Sequence, residues 1–184
     1  MAPVALTKVR DGVLVGALAP RGVLNTVVLQ APEGDVVVDA GLPWSGRRLA
    51  RFLRGRDVIE HVVTHAHGDH VGATAWLCNH TGAPLAMSEI EADHFANGRI
   101  GTHAGVLGRW LIAPLGHKRH PVDRRLRVGD TVAGFTVLAQ PGHSPGLLAF
   151  WREADRVLVV GDGPINISPD PESPRWLRVP RGLH

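Results

Sequence analysis

The chain has 184 residues, 44% of them apolar and 20% charged, with a formal net charge of +3. That length suits one domain with a sizeable core and is too short for two ordinary ones, and the composition is that of a globular protein. No apolar run approaches the roughly 20 residues a membrane-crossing helix needs, so no membrane partner is expected.

Lys8 and Arg10 precede GVLVGALAP, which loosely imitates a secretory signal. Asp11, Gly12 and Gly16 interrupt that pattern, and a first β-strand after an Asp11-Gly12 turn is expected instead, in a cytoplasmic protein. Further strands follow at NTVVLQ and, after the Pro32 to Asp35 turn, at DVVVDAG. Leu49, Phe52 and Leu53 recur at helical spacing among Arg47, Arg48, Arg51, Arg54 and Arg56, predicting an amphipathic helix from Ser45 to near Gly55 with its arginines on a solvated face. The basic cluster therefore does not point to a nucleic acid, which needs denser charge and interleaved aromatics.

The strand VIEHVV comes next and runs straight into THAHGDH, Thr64 to His70. Residues Val71 to Asn79 are expected to be helical and to place the single cysteine, Cys78, in the core; one cysteine excludes an internal disulfide. A short strand PLAMS leads to a helix capped by Ser88 and Glu91 and running to about Asn97. Alternation of this kind predicts a layered α/β arrangement, with ligands gathered beyond the carboxyl ends of strands. Residues 98–125 lack a clean period and suggest an insertion or lid, with Trp110, His103 and His117 as candidate pocket residues. The β pattern returns in RLRVGDTVAGFTVLAQ, LLAFW and RVLVVGD, and residues 163–184 form a Pro-rich irregular tail of the same single domain, 1–184.

The chemistry concentrates at the strand ends. On a loop leaving a strand, His65 and His67 can converge on one cation, while Asp69 and His70 turn toward a second position beside it. Imidazole nitrogen with carboxylate oxygen suits Zn²⁺ better than Ca²⁺ or Mg²⁺, which prefer oxygen shells. Two later strands end in His143 and Asp162, both able to bind metal. Ser144 has no separate base beside it and is taken as a turn residue; His61, His80 and His94 are taken as supporting or surface histidines.

At these residues the chain resembles the metallo-β-lactamase superfamily, from about residue 10 to about residue 180. The matching pieces are VVVDAG with Asp39, THAHGDH, PGHSPG with His143, and VVGD with Asp162, in the family's order. The resemblance implies an α/β fold, a four-layer αβ/βα sandwich holding metals at one edge between two β-sheets. It implies that His65, His67 and His143 bind a first Zn²⁺, that Asp69 and His70 bind a second, that Asp162 bridges them, and that Asp39 supports the site without being a ligand. Asp69 would also orient the attacking water and shuttle its proton. Family members normally continue with a helix, a strand and a last histidine. The segment ending at Leu183-His184 stands where that part would begin, so a C-terminally incomplete domain is expected, with a terminal His184 not expected to replace the ligand. Ala66 stands where the flavin-linked di-iron branch has a glutamate, and Asp162 supplies a bridging carboxylate that true β-lactamases lack. The expected activity is zinc-dependent hydrolysis of a small ester, thioester or lactone by a metal-activated hydroxide. The alternatives are a metal-binding but catalytically impaired remnant and a phosphodiesterase branch.

Overall fold

A computed structural model describes residues 5–97 and 118–163. One sheet has seven strands: β1 (Thr7–Arg10), β2 (Val13–Ala17), β3 (Asn25–Ala31), β4 (Gly34–Val38), β5 (Val58–Val62), β6 (Leu85–Ser88) and β7 (Arg124–Leu126), adjacent in that order. Strands β1 to β4 pair antiparallel, and β4 to β7 pair parallel. Parallel neighbours require crossovers. Helices α1 (Gly46–Phe52), α2 (Gly68–Val71), α3 (Thr74–Thr81) and α4 (Glu89–Ala96) lie in those crossovers. The second sheet, β8 (Thr131–Val132), β9 (Phe135–Ala139), β10 (Leu148–Arg152) and β11 (Val157–Val160), is antiparallel throughout.

Period-two alternation divides the side chains between two cores. Val13, Leu29, Val36 and Val38 face the second sheet, where Phe135, Val137, Phe150 and Val159 meet them. Their neighbours Leu14, Val28 and Val37 point the other way, onto Leu49 and Phe52 of α1 and Leu77 of α3. Among the described residues the layers are thus helix, sheet and sheet. Of the two strands with the strongest apolar runs in the second sheet, β10 is buried at Leu148, Ala149 and Phe150, while β11 leaves Leu158 49% exposed on the outer face.

Several local expectations change in the fold. The helix expected over Val71 to Asn79 is two helices, α2 and α3, divided at Gly72. A Cβ there would sit 2.5 Å from both Gly68 O and Pro43 N, so only glycine lets the loop after β4 pass this closely. Ser45 precedes α1 without donating or accepting a side-chain cap bond. The arginine face is only partly solvated: Arg48 donates to Ala17 O at 3.2 Å and Arg56 pairs with Asp35 at 2.7 Å. The run from Arg125 to Gln140 divides between the sheets, since β7 pairs with β6 while β8 and β9 form a hairpin over the Ala133-Gly134 turn, both residues at positive φ. Of the segment set apart at 98–125, residues 98–117 with Trp110, His103 and His117 lie outside the described residues, and Arg124 and Arg125 belong to β7. Residues 164–184, with His184, also lie outside them. Cys78 is core, its thiol pushed up to about 12 by burial. No described helix is long and apolar enough to cross a membrane.

Candidate metal centre

Strands β4, β5 and β6 are parallel, so their carboxyl ends share one edge of the sheet. Asp39 follows β4, Thr64 to His70 follow β5, and Glu91 lies on α4 just past β6. In the second sheet β10 is antiparallel to both β9 and β11, which brings the ends of β9 and β11 to a common edge carrying His143 and Asp162. The two edges are joined where Leu148 N donates to Thr64 O at 3.0 Å. A Cβ on Gly161 would lie 2.9 Å from Thr64 Oγ1, so glycine there lets the chain carrying Asp162 close on the His65 loop.

The result is a cluster of four histidines and one aspartate. Ligand atoms of His65, His67 and His143 lie within 4.8 Å of one another, and so do those of His65, His70 and Asp162. Asp162 stands between the two groups, Oδ1 lying 3.3 Å from His70 Nε2 and Oδ2 3.5 Å from His143 Nε2. Asp69 belongs to neither group: it sits at the rim in the first turn of α2, its side chain 31% exposed and its Oδ2 3.9 Å from His70 Nε2.

Behind the histidines lies a hydrogen-bonded frame built on Asp39. Its Oδ2 accepts from His70 Nδ1 at 2.8 Å and from Thr64 Oγ1 at 2.8 Å, and its Oδ1 accepts from Thr64 N at 2.8 Å. Asp39 has φ +60, a left-handed conformation that Asp tolerates better than most residues, and Thr26 Oγ1 fixes it by donating to its carbonyl at 2.7 Å. Because a carboxylate only accepts, His70 Nδ1 carries the hydrogen. Thr64 Oγ1 spends its own hydrogen on Asp39, so it accepts from His65 Nδ1 at 3.1 Å. Both rings are thereby fixed with Nε2 directed away from the frame, the outer support that orients metal-binding imidazoles.

The electrostatics separate these groups. Burial holds His65 well below the usual histidine range, with the charges of His70, His67 and His143 adding to the effect. Burial also pushes His67 down to about 3 and lowers His143. Burial would lower His70 as well, but the carboxylates of Asp39 and Asp162 outweigh it and raise His70 well above its ordinary value. Asp162 is raised by burial and lowered more strongly by His70, His143 and His67.

A metal fits this donor set. Nε2 of His65, His67 and His70 and Nδ1 of His143 are buried and make no hydrogen bond within the protein. Buried polar atoms are ordinarily satisfied, and here Nε2 of His65 and of His70 are left bare beside a point where His67 Nδ1 and His143 Nε2 stand 2.9 Å apart, a set of nitrogens that a shared cation would satisfy. The carboxylates that favour a proton on His70 Nε2 favour a cation at the same place. The structure therefore brings together His65, His67, His70, His143 and Asp162, with Asp39 behind them. The sequence did not single out Glu91 as a site residue. Its carboxylate is fully buried and bonds to Ala66 N, Gly146 N and Ser144 Oγ, between the two histidine loops. The available signal was its position four residues before Phe95, on the inward face of α4.

Comparison with known proteins follows the same residues. Residues 19–175 match the family described as the metallo-beta-lactamase superfamily. The chain is 28% identical over 191 residues to the probable metallo-hydrolase YflN of Bacillus subtilis, covering 88% of this chain and 70% of that one. It is 30% identical over 142 residues to a hydroxyacylglutathione hydrolase of Cereibacter sphaeroides, covering 75% of this chain and 42% of that one. Among solved structures, a beta-lactamase domain protein from Burkholderia ambifaria superposes with a TM-score of 0.66 at 28% identity, over 89% of this chain and 56% of that one. A Cronobacter sakazakii metallo-beta-lactamase superposes with a TM-score of 0.66 at 27% identity, over 88% and 60%. The chain thus spans well under two thirds of the length of these structures.

Proposed function

The chain belongs to the metallo-beta-lactamase superfamily, and we propose that it is a zinc-dependent hydrolase acting on a small thioester, lactone or other ester. The observation that carries this is the convergence of the His65, His67, His70 and His143 imidazoles beside Asp162 at the joint edge of two sheets, with Nε2 of His65 and of His70 left without a partner in the protein. Similarity to the hydroxyacylglutathione hydrolase favours a thioester among the candidate substrates.

His65, His67 and His143 would hold a first cation; His70 and Asp162 would hold a second, with Asp69 joining them by turning in from the rim and Asp162 facing both. Cations held this way supply Lewis acidity toward the scissile carbonyl and make water nucleophilic near neutral pH. The chain's own residues do the rest. His65 and His67, kept neutral by burial, present lone pairs without first shedding a proton at neutral pH. Asp39 and Thr64 hold the rings of His70 and His65 in one tautomer. Asp69, partly exposed at the rim, accepts a proton from the attacking water and returns it to the leaving group.

The test is metal content by mass spectrometry together with turnover of thioester, lactone, ester and phosphodiester panels. Bound zinc and thioester or lactone hydrolysis that disappear in His67→Ala are expected. Zinc without turnover would leave a binding protein, turnover confined to the phosphodiester would move the chain to that branch, and the absence of zinc would refute the reading.

A further inference from the structure

We propose that Glu91 is a positioning residue whose buried carboxylate sets the spacing between the His65–His67 loop and the His143 loop. The proposal rests on the reading of those histidines as metal ligands. Glu91 is 0% exposed. Its Oε2 accepts from Ala66 N at 2.8 Å, and Ala66 lies between His65 and His67. Its Oε1 accepts from Gly146 N at 2.9 Å and from Ser144 Oγ, and Ser144 follows His143. One oxygen serves each loop, so the width of a single carboxylate links two segments about 80 residues apart in the chain.

The carboxylate is anchored from behind and enclosed in front. Ser88 Oγ caps α4 by accepting from Glu91 N at 3.2 Å, and Ala92 and Phe95 seat the same helix in the core. The cap is used on one side only: in a capping box the glutamate side chain turns back to the helix start, whereas here it turns inward to the loops. On the facing loop a Cβ at Gly146 would lie 2.5 Å from Ser88 Oγ and 2.9 Å from Glu91 Oε1, so the backbone packs directly on the carboxylate. The ionisable side chain beside it is His94, whose Nδ1 is 3.9 Å away. Taking a carboxylate out of water without a close cation is unfavourable, and apolar residues of similar volume commonly serve stability as well. Three donors drawn from two ligand loops are what a spacer needs.

The test is titration of the full chain with Co²⁺, followed by visible absorption, in the unmutated protein, Glu91→Gln and Ser144→Ala, with thermal unfolding of each metal-free protein alongside. Glutamine keeps the shape but must turn an N–H toward one of the donors. A folded Glu91→Gln protein should bind Co²⁺ about 10–100-fold more weakly, with shifted absorption bands, as for loss of a group supporting metal ligands. Ser144→Ala removes one donor and should weaken binding by about two- to tenfold. Unchanged affinity and spectrum in Glu91→Gln, with only a lower melting temperature, would make Glu91 a scaffold residue and overturn the proposal. If Glu91→Gln does not fold, unchanged affinity in Ser144→Ala overturns it instead. Absence of Co²⁺ binding in the unmutated protein would overturn the metal reading itself, and this proposal with it.

Discussion

His61 and His65 are four residues apart, both at 0% exposure, and they do opposite things with their rings. In the middle of β5, His61 donates from Nδ1 to Val37 O at 2.9 Å and takes the Thr74 hydroxyl on Nε2 at 3.0 Å, tying β5 to β4 and α3. Beyond the strand's end, His65 satisfies Nδ1 on Thr64 and leaves Nε2 without a partner in the protein. Burial therefore does not distinguish a structural histidine from a candidate ligand. The second nitrogen does for this pair: where the fold supplies its partner, as at His61, the ring is a cross-link, and where the fold fixes one side and leaves the other bare within a cluster of further imidazoles, as at His65, it is a candidate ligand.

The sharpest way to break this contrast is to remove each ring in turn. His65→Ala and His67→Ala should lose zinc by more than the roughly 10–100-fold typical of removing a support residue, measured as metal retained after dialysis. His61→Ala should retain the stoichiometry of the unmutated protein in its folded fraction. Zinc loss of equal size in His61→Ala and His65→Ala would erase the distinction.

Stability should respond the other way round. His61→Ala leaves a cavity and strands the Val37 carbonyl and the Thr74 hydroxyl, so urea unfolding of the metal-free protein should show a loss of about 3 kcal/mol. Acid probes the same ring. Burial lowers His61 from 6.5 to about 4, so the unfolded chain takes up a proton that the folded chain refuses. That contribution is fully present above pH 6.5 and is lost as pH falls through about 4, by about 3 kcal/mol for this ring alone. In His61→Ala the fall in metal-free stability over this window should be shallower by that amount, while His65 and His67 continue to supply the remainder.

A smaller effect is expected one step behind the ligands. Asp39→Asn leaves one oxygen to serve Thr64 N, Thr64 Oγ1 and His70 Nδ1, and zinc affinity should drop by about 10–100-fold without loss of the fold. Zinc titration against a competing chelator measures it, and an unchanged affinity would detach Asp39 from the site.

Much of this was legible in the residues. The apolar runs in DVVVDAG and VIEHVV, bounded by turn residues, placed β4 and β5, and the strand-end positions of Asp39, His65, His143 and Asp162 identified the edge where the site forms. What pattern could not supply was contact between distant segments. The division of Val71 to Asn79 at Gly72 depends on the backbone at Pro43, and the two sheets share the run Arg125 to Gln140 because β7 finds β6 as partner. By their neighbours in sequence, Glu91 belongs to a helix cap and Ser144 to a turn. Their bond to each other spans 53 residues and belongs to the tertiary structure alone. His61 was similarly ambiguous, since nothing near it in sequence announces Val37 or Thr74.

The most direct test is an anomalous-scattering map of a zinc-loaded crystal recorded at the zinc edge. A peak at about 2.0–2.1 Å from Nε2 of His65, with Nδ1 of His67 and Nε2 of His143, which already face each other, completing the shell, is the predicted result. Zinc found at other residues, or a zinc-soaked crystal in which these three imidazoles hold nothing, would contradict the account.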